Sequence, residues 1–116
     1  MGASLLINSK EQIFAEKLRS LLRFGPLSTR YKDIFDLCYL SDFVVRDRLF
    51  EYLRTYILDD PGMRENDMNA VLRRVERTFA DRLYRRNIER SRRYNWLNLG
   101  IPDAFKKITD FLESFE

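Results

Sequence analysis

Apolar residues in this chain recur mostly at three- and four-residue spacing, the signature of helices that bury one face. Ser9 opens the first such segment as an N-cap, and Gln12 three positions later completes a capping-box pattern. The spacing predicts a helix over Lys10–Phe24, with Phe14, Leu18, Leu21 and Leu22 inward and Ile13 on one flank. Gly25-Pro26 stops it, through a left-handed cap and a missing donor. Ser28 or Thr29 can cap a second helix over Arg30–Leu40. Its apolar positions Tyr31, Ile34, Phe35, Leu37, Cys38 and Tyr39 cover more than one side, so it reads as deeply buried.

Ser41 and Asp42 mark a further cap before a third helix over Phe43–Leu58, with Val45, Leu49, Leu53, Tyr56 and Ile57 inward. Asp59-Asp60-Pro61-Gly62 is a strong turn signal. Asn66 or Asp67 can cap a fourth helix in which Met68, Val71, Leu72, Val75, Phe79 and Leu83 keep the period. Its end is not marked, because Arg85 to Tyr94 is polar and weakly periodic. Pro102 suits the first turn of a last helix with Phe105, Ile108, Phe111, Leu112 and Phe115 inward. Leu5-Leu6-Ile7 reads as a short strand end or an apolar tail. The expected architecture is an all-α bundle of about five helices forming one domain over residues 1–116.

Composition narrows the class. At 116 residues with 45% apolar content the chain can bury a core without staples. A single cysteine, Cys38, excludes an internal disulfide, and the lack of histidine excludes the usual zinc sites, so no metal ligands are assigned. No apolar run reaches the roughly 20 residues of a membrane span. Nor does the N-terminus have the zones of a signal peptide, and a bacterial cytoplasm is the default compartment.

The formal charge is only +3, but it is unevenly spread. Arg73, Arg74, Arg77, Arg82, Arg85, Arg86, Arg90, Arg92 and Arg93 fall in one 21-residue window, opposed there by Glu76, Asp81 and Glu89 alone. One reading is a solvated helix laced with i,i+3 and i,i+4 ion pairs. The other is a phosphate-contacting surface for RNA made by Arg73, Arg74, Arg77, Arg85, Arg86, Arg90, Arg92 and Arg93, with Tyr84, Tyr94 and Trp96 placed to stack on bases. No helix-turn-helix spacing accompanies it.

Two further groups are candidates for chemistry. Lys17 lies about 60° from the centre of the first helix's apolar stripe, at the edge of the core. It is either a snorkelling lysine or a point charge aimed at a triphosphate. Asp33 and Asp36 are an i,i+3 acidic pair beside Arg30. They are either first-turn helix charges, with Asp33 paired locally to Arg30, or two carboxylates able to bind a divalent metal or act as a base. Because Gly25-Pro26 makes the first two helices neighbours, Lys17 and Asp33 are expected to face one another at the end where Leu5-Leu6-Ile7 enters.

The run Ala15-Glu16-Lys17-Leu18, then Arg30-x-Lys32-Asp33 and Asp36-Leu37, resembles the C-terminal part of the AbiEii-type nucleotidyltransferase toxins of abortive-infection toxin–antitoxin systems. The likeness is specific over Leu6–Leu40 and looser over Phe43–Glu116. It implies that Lys17 binds nucleotide phosphate and that Asp33, with Asp36 as the second candidate, acts as a base or organises the site. It also implies magnesium and a nucleoside triphosphate for a full-length enzyme, tRNA or another RNA as acceptor, and a cognate antitoxin. The family's Gly-Ser loop and paired Asp-x-Asp carboxylates have no counterpart here. The chain is therefore expected to be an excised or truncated C-terminal domain, catalytically silent alone. The rival expectations are a helical nucleic-acid-binding module and an interaction bundle, such as a homodimer burying the Leu5-Leu6-Ile7 tail.

Overall fold

The structure, a computed structural model, describes residues 9–115. Six α-helices follow one another: α1 Lys10–Phe24, α2 Lys32–Leu40, α3 Arg46–Leu53, α4 Met68–Ala80, α5 Arg82–Arg90 and α6 Ile101–Glu113. Among the described residues there is no strand. Leu5-Leu6-Ile7, the expected strand end or tail, lies outside them. No described helix is long and apolar enough to cross a membrane.

α1 is the central element and packs against α2, α3 and α4, while α6 closes the bundle over α2 and α4. Ser9 caps α1 as expected, its hydroxyl accepting from the Gln12 amide at 3.1 Å. The other half of the capping box does not form. The Gln12 side chain instead donates to the Tyr56 hydroxyl at 2.8 Å, tying α1 to the turn after α3. Gly25 ends α1 at φ 54° and ψ −134°, a region that penalises any residue with a Cβ. The Arg74 guanidinium from α4 fills the space such a Cβ would need.

α2 is buried on several sides, as its apolar pattern implied. Asp33 through Cys38 are six consecutive buried residues. It starts at Lys32 rather than Arg30, and neither Ser28 nor Thr29 caps it. α3 also starts later than expected, at Arg46, because Asp42 is bound elsewhere, by Lys107 at 2.6 Å. The buried Glu11 carboxylate of α1 takes over, accepting from the Val45 amide at 2.8 Å. A carboxylate at that end also suits the helix dipole. Val45, expected inward, is 56% exposed.

The main correction is at Asp81. Its extended backbone ends α4, and its side chain caps α5 by accepting from the Tyr84 amide at 2.9 Å. The break resets the helical phase. Leu83, expected to continue the inward stripe, is 59% exposed, and Tyr84 and Ile88 turn to the core instead. One expected helix thus becomes two, which gives six in place of about five.

Candidate functional site

Lys17 projects from the middle of α1 toward the first turn and a half of α2. Its ammonium lies 2.9 Å from Asp33 Oδ1 and 3.0 Å from Asp36 Oδ2. The expected facing of Lys17 and Asp33 is therefore present, with Asp36 as an equal partner; the Leu5–Ile7 end of that expectation lies outside the described residues. Arg30 donates to Asp33 Oδ2 at 2.8 Å, closing the i,i+3 pair visible in the sequence. Lys32 reaches both oxygens of Asp36 at 3.2 Å, and the Trp96 indole donates to Asp36 Oδ1 at 2.8 Å.

All four carboxylate oxygens are thus engaged by donors. Three cations against two carboxylates leave one positive charge over. The residues present do not fit a divalent ion: each aspartate is already neutralised, and no group of three or more metal-ligating side chains occurs among the described residues. Electrostatics fix the charge states. Burial works against the Lys17 ammonium, but the hydrogen bonds and charges of Asp33 and Asp36 outweigh it and raise its pKa. Burial likewise opposes ionisation of Asp36, yet hydrogen bonds from Lys17, Trp96 and Lys32 prevail and lower its pKa. At neutral pH Lys17 is therefore a charged ammonium and Asp36 an ionised carboxylate.

The nine arginines of the sequence window do not form one surface. Arg23, Arg64, Arg73 and Arg77 line a cleft between the end of α1 and α4, with Glu65 as the acid among its lining residues. Arg74 belongs to that cleft but serves the fold, donating to the carbonyl of Leu22 at the end of α1 at 3.3 Å. Arg82, Arg85, Arg86, Arg90, Arg92 and Arg93 line a separate open trough on α5 and the turn after it, with Glu89 as its one acid. Among the described residues none of these arginines forms an ion pair. The laced-helix reading is thus not what the side chains do. Of the three aromatic candidates, Tyr84 is buried at 1% exposure and cannot stack on a base. Tyr94 is half-buried, with the Arg93 guanidinium 4.8 Å from its ring centre. Trp96 is 48% exposed.

Sequence reasoning missed two parts of this site. The Lys32–Asp36 bond has ordinary i,i+4 spacing and was legible in principle. The Trp96–Asp36 bond joins residues 60 apart and leaves no local signal. Cys38, by contrast, carries no chemistry: it is fully buried beside Ala104, and burial pushes its thiol up to about 12.

The comparisons with known proteins agree with the sequence. Residues 2–106 match the model of the family described as nucleotidyl transferase AbiEii toxin, type IV TA system. The chain belongs to that family, and the match runs well past Leu40, where the likeness read from the motifs loosens. A search of curated proteins and of solved structures found no match.

Proposed function

We propose, from that membership, that this chain is a helical unit of a nucleotidyltransferase toxin that binds nucleotide phosphate through Lys17 and offers RNA its arginine trough. The observation that carries the proposal is the convergence of Lys17 with Asp33 and Asp36 between α1 and α2. A lysine kept charged and pre-aimed is suited to triphosphate oxygens. Phosphates arriving at Lys17 would draw its ammonium away from the carboxylates. Asp33 would then be held by Arg30 alone and become a better proton acceptor for an attacking hydroxyl. Asp36, tied also to Lys32 and Trp96, would keep the site in place.

In-line nucleotidyl transfer draws on divalent ions. The cluster does not fit them, so no metal step is assigned to these residues. The unit is expected to be silent alone and to complete a site whose metal carboxylates lie elsewhere. RNA, with tRNA the acceptor the resemblance implies, would be engaged by phosphate contacts from the trough. An antitoxin is the counterpart that the family's description implies.

The test is the ammonium signal of Lys17 in nuclear magnetic resonance, followed while a nucleoside triphosphate is added. The expected result is a shift of Lys17 with Lys106 unmoved, abolished in Lys17→Ala. A Lys17 signal that stays in place at millimolar triphosphate would contradict the phosphate role. The unpaired arginines favour a second reading, a nucleic-acid-binding module with no part in transfer. That reading expects RNA to bind while triphosphate leaves Lys17 unmoved.

A further inference from the structure

We infer that Trp96 and Tyr39 form a stacking subsite for an unpaired nucleobase, set between the Lys17 cluster and the arginine trough. The inference rests on the reading that the trough takes RNA. Three large aromatic side chains stand together in the open at this place. Trp96 and Tyr39 have ring centres 5.2 Å apart, and Tyr39 and Phe43 have centres 4.7 Å apart. They are 48%, 41% and 51% exposed, although α2 is otherwise the most buried helix of the bundle.

The indole is fixed at one edge. Its Nε1 donates to Asp36 at 2.8 Å, which leaves ring surface free and sets its orientation. A rigid, half-open ring loses little entropy when a base stacks on it. The same Asp36 accepts from Lys32 and Lys17, so a base on Trp96 would lie beside the two ammonium groups proposed to hold phosphate. On the other side, Arg93 is three residues away along the chain. Asp36 is occupied by the indole and the two ammonium groups, and Asp42, next to Phe43 in the chain, is neutralised by Lys107 at 2.6 Å. Charge at both ends of the patch is therefore cationic, which suits a nucleotide strand. Every base has a π face, so the subsite accepts a single-stranded end without sequence preference.

Trp96 is the sole tryptophan of the chain and reports on itself. The experiment follows its emission while single-stranded RNA is added, with inorganic polyphosphate as a probe that has charge but no bases. The expected result is binding of both, with quenching by RNA only. Trp96→Ala should bind RNA roughly five- to a hundredfold more weakly and polyphosphate equally well. Trp96→Phe loses the bond to Asp36 but keeps a stacking face, and should retain most of the RNA affinity. Tyr39→Ala, which does not touch Asp36, should weaken RNA binding without altering polyphosphate binding. RNA that binds without quenching and is indifferent to Trp96→Ala would overturn the subsite and leave the trough reading intact. Equal losses in Trp96→Ala and Trp96→Phe would also overturn it, by assigning the effect to the Asp36 bond. Failure of both RNA and polyphosphate to bind would overturn the subsite and the trough reading together.

Discussion

The two charged regions of this molecule are built in opposite ways. Around Lys17 every charge has a partner: Lys17, Arg30, Lys32 and the Trp96 indole engage all four oxygens of Asp33 and Asp36. On α5 and the following turn six arginines stand together with no ion pair at all among the described residues. Pairing fixes geometry and keeps protonation states constant, at the expense of long-range field. Leaving cations unpaired does the reverse, since like charges that repel one another gain when a polyanion arrives. The first region is organised before any ligand binds. The second has its favourable electrostatics still to gain.

The largest effect should come from the unpaired side. Reversing Arg86, Arg90 and Arg93 to Glu is expected to weaken tRNA binding by two orders of magnitude or more, on the order of 1 kcal/mol for each phosphate released or repelled. The urea midpoint should barely move, because none of the three holds the fold together. Filter binding and urea denaturation check the two halves of this expectation.

The paired side should respond in stability. Lys17→Ala leaves two nearly buried carboxylates facing each other with only Arg30 and Lys32 to compensate. A loss of about 1–2 kcal/mol is expected, read as a lower urea midpoint at an unchanged slope. A smaller loss is expected for Lys32→Ala, whose native side chain is 60% exposed.

The pH dependence of this cluster follows from its two shifted groups, Asp36 and Lys17. Asp36 has a folded pKa below its ordinary value of 3.8, so the unfolded state binds its proton first. Its contribution is present above about pH 4 and is lost as pH falls through the lower folded value. Lys17 has a folded pKa above its ordinary value of 10.5. Its contribution is present below that value and is lost as pH rises through the higher folded one. Urea midpoints are therefore expected to depend little on this cluster across neutral pH and to fall at both extremes. Lys17→Ala should remove only its own share of the alkaline fall, because the buried Cys38 thiol, pushed up to about 12, also loses stability as pH rises.

The smallest expected effect lies under the site. The Tyr84 hydroxyl is buried with no hydrogen-bond partner among the described residues. Tyr84→Phe removes that unmet donor while keeping the ring against Phe79 and Phe105. A gain of up to about 1 kcal/mol is expected, measured by thermal or urea unfolding.

How far these regions were legible in the sequence follows from the range of the forces involved. α1 and its stripe were legible, because Ser9, Gly25 and the Phe14–Leu18–Leu21 spacing act within one helix. The meeting of Lys17 and Asp33 was legible too, because a short loop between two helices leaves few ways to pack them. The α4–α5 break was missed although Asp81 is a good cap, since Phe79 and Leu83 keep the period across it and mask the change of phase. α3's late start depends on Glu11, 34 residues away, and Trp96's hold on Asp36 spans 60. Such tertiary bonds leave no spacing to read. The division of the arginine window into two surfaces follows from the same break at Asp81, which sends the arginines of α4 and those of α5 to different sides.

The contrast between paired and unpaired charge is tested most directly by the slope of log binding constant against log salt for tRNA. It should be compared among the wild-type chain, Lys17→Ala, and a variant with Arg86, Arg90 and Arg93 changed to Gln. Each neutralised phosphate contributes a slope of about 0.7–0.9. The expected result is a steep slope in the wild type, the same slope in Lys17→Ala, and a slope lower by about 2–3 units in the arginine variant. Equal slopes in all three proteins, or a drop confined to Lys17→Ala, would contradict the assignment of RNA to the arginine trough.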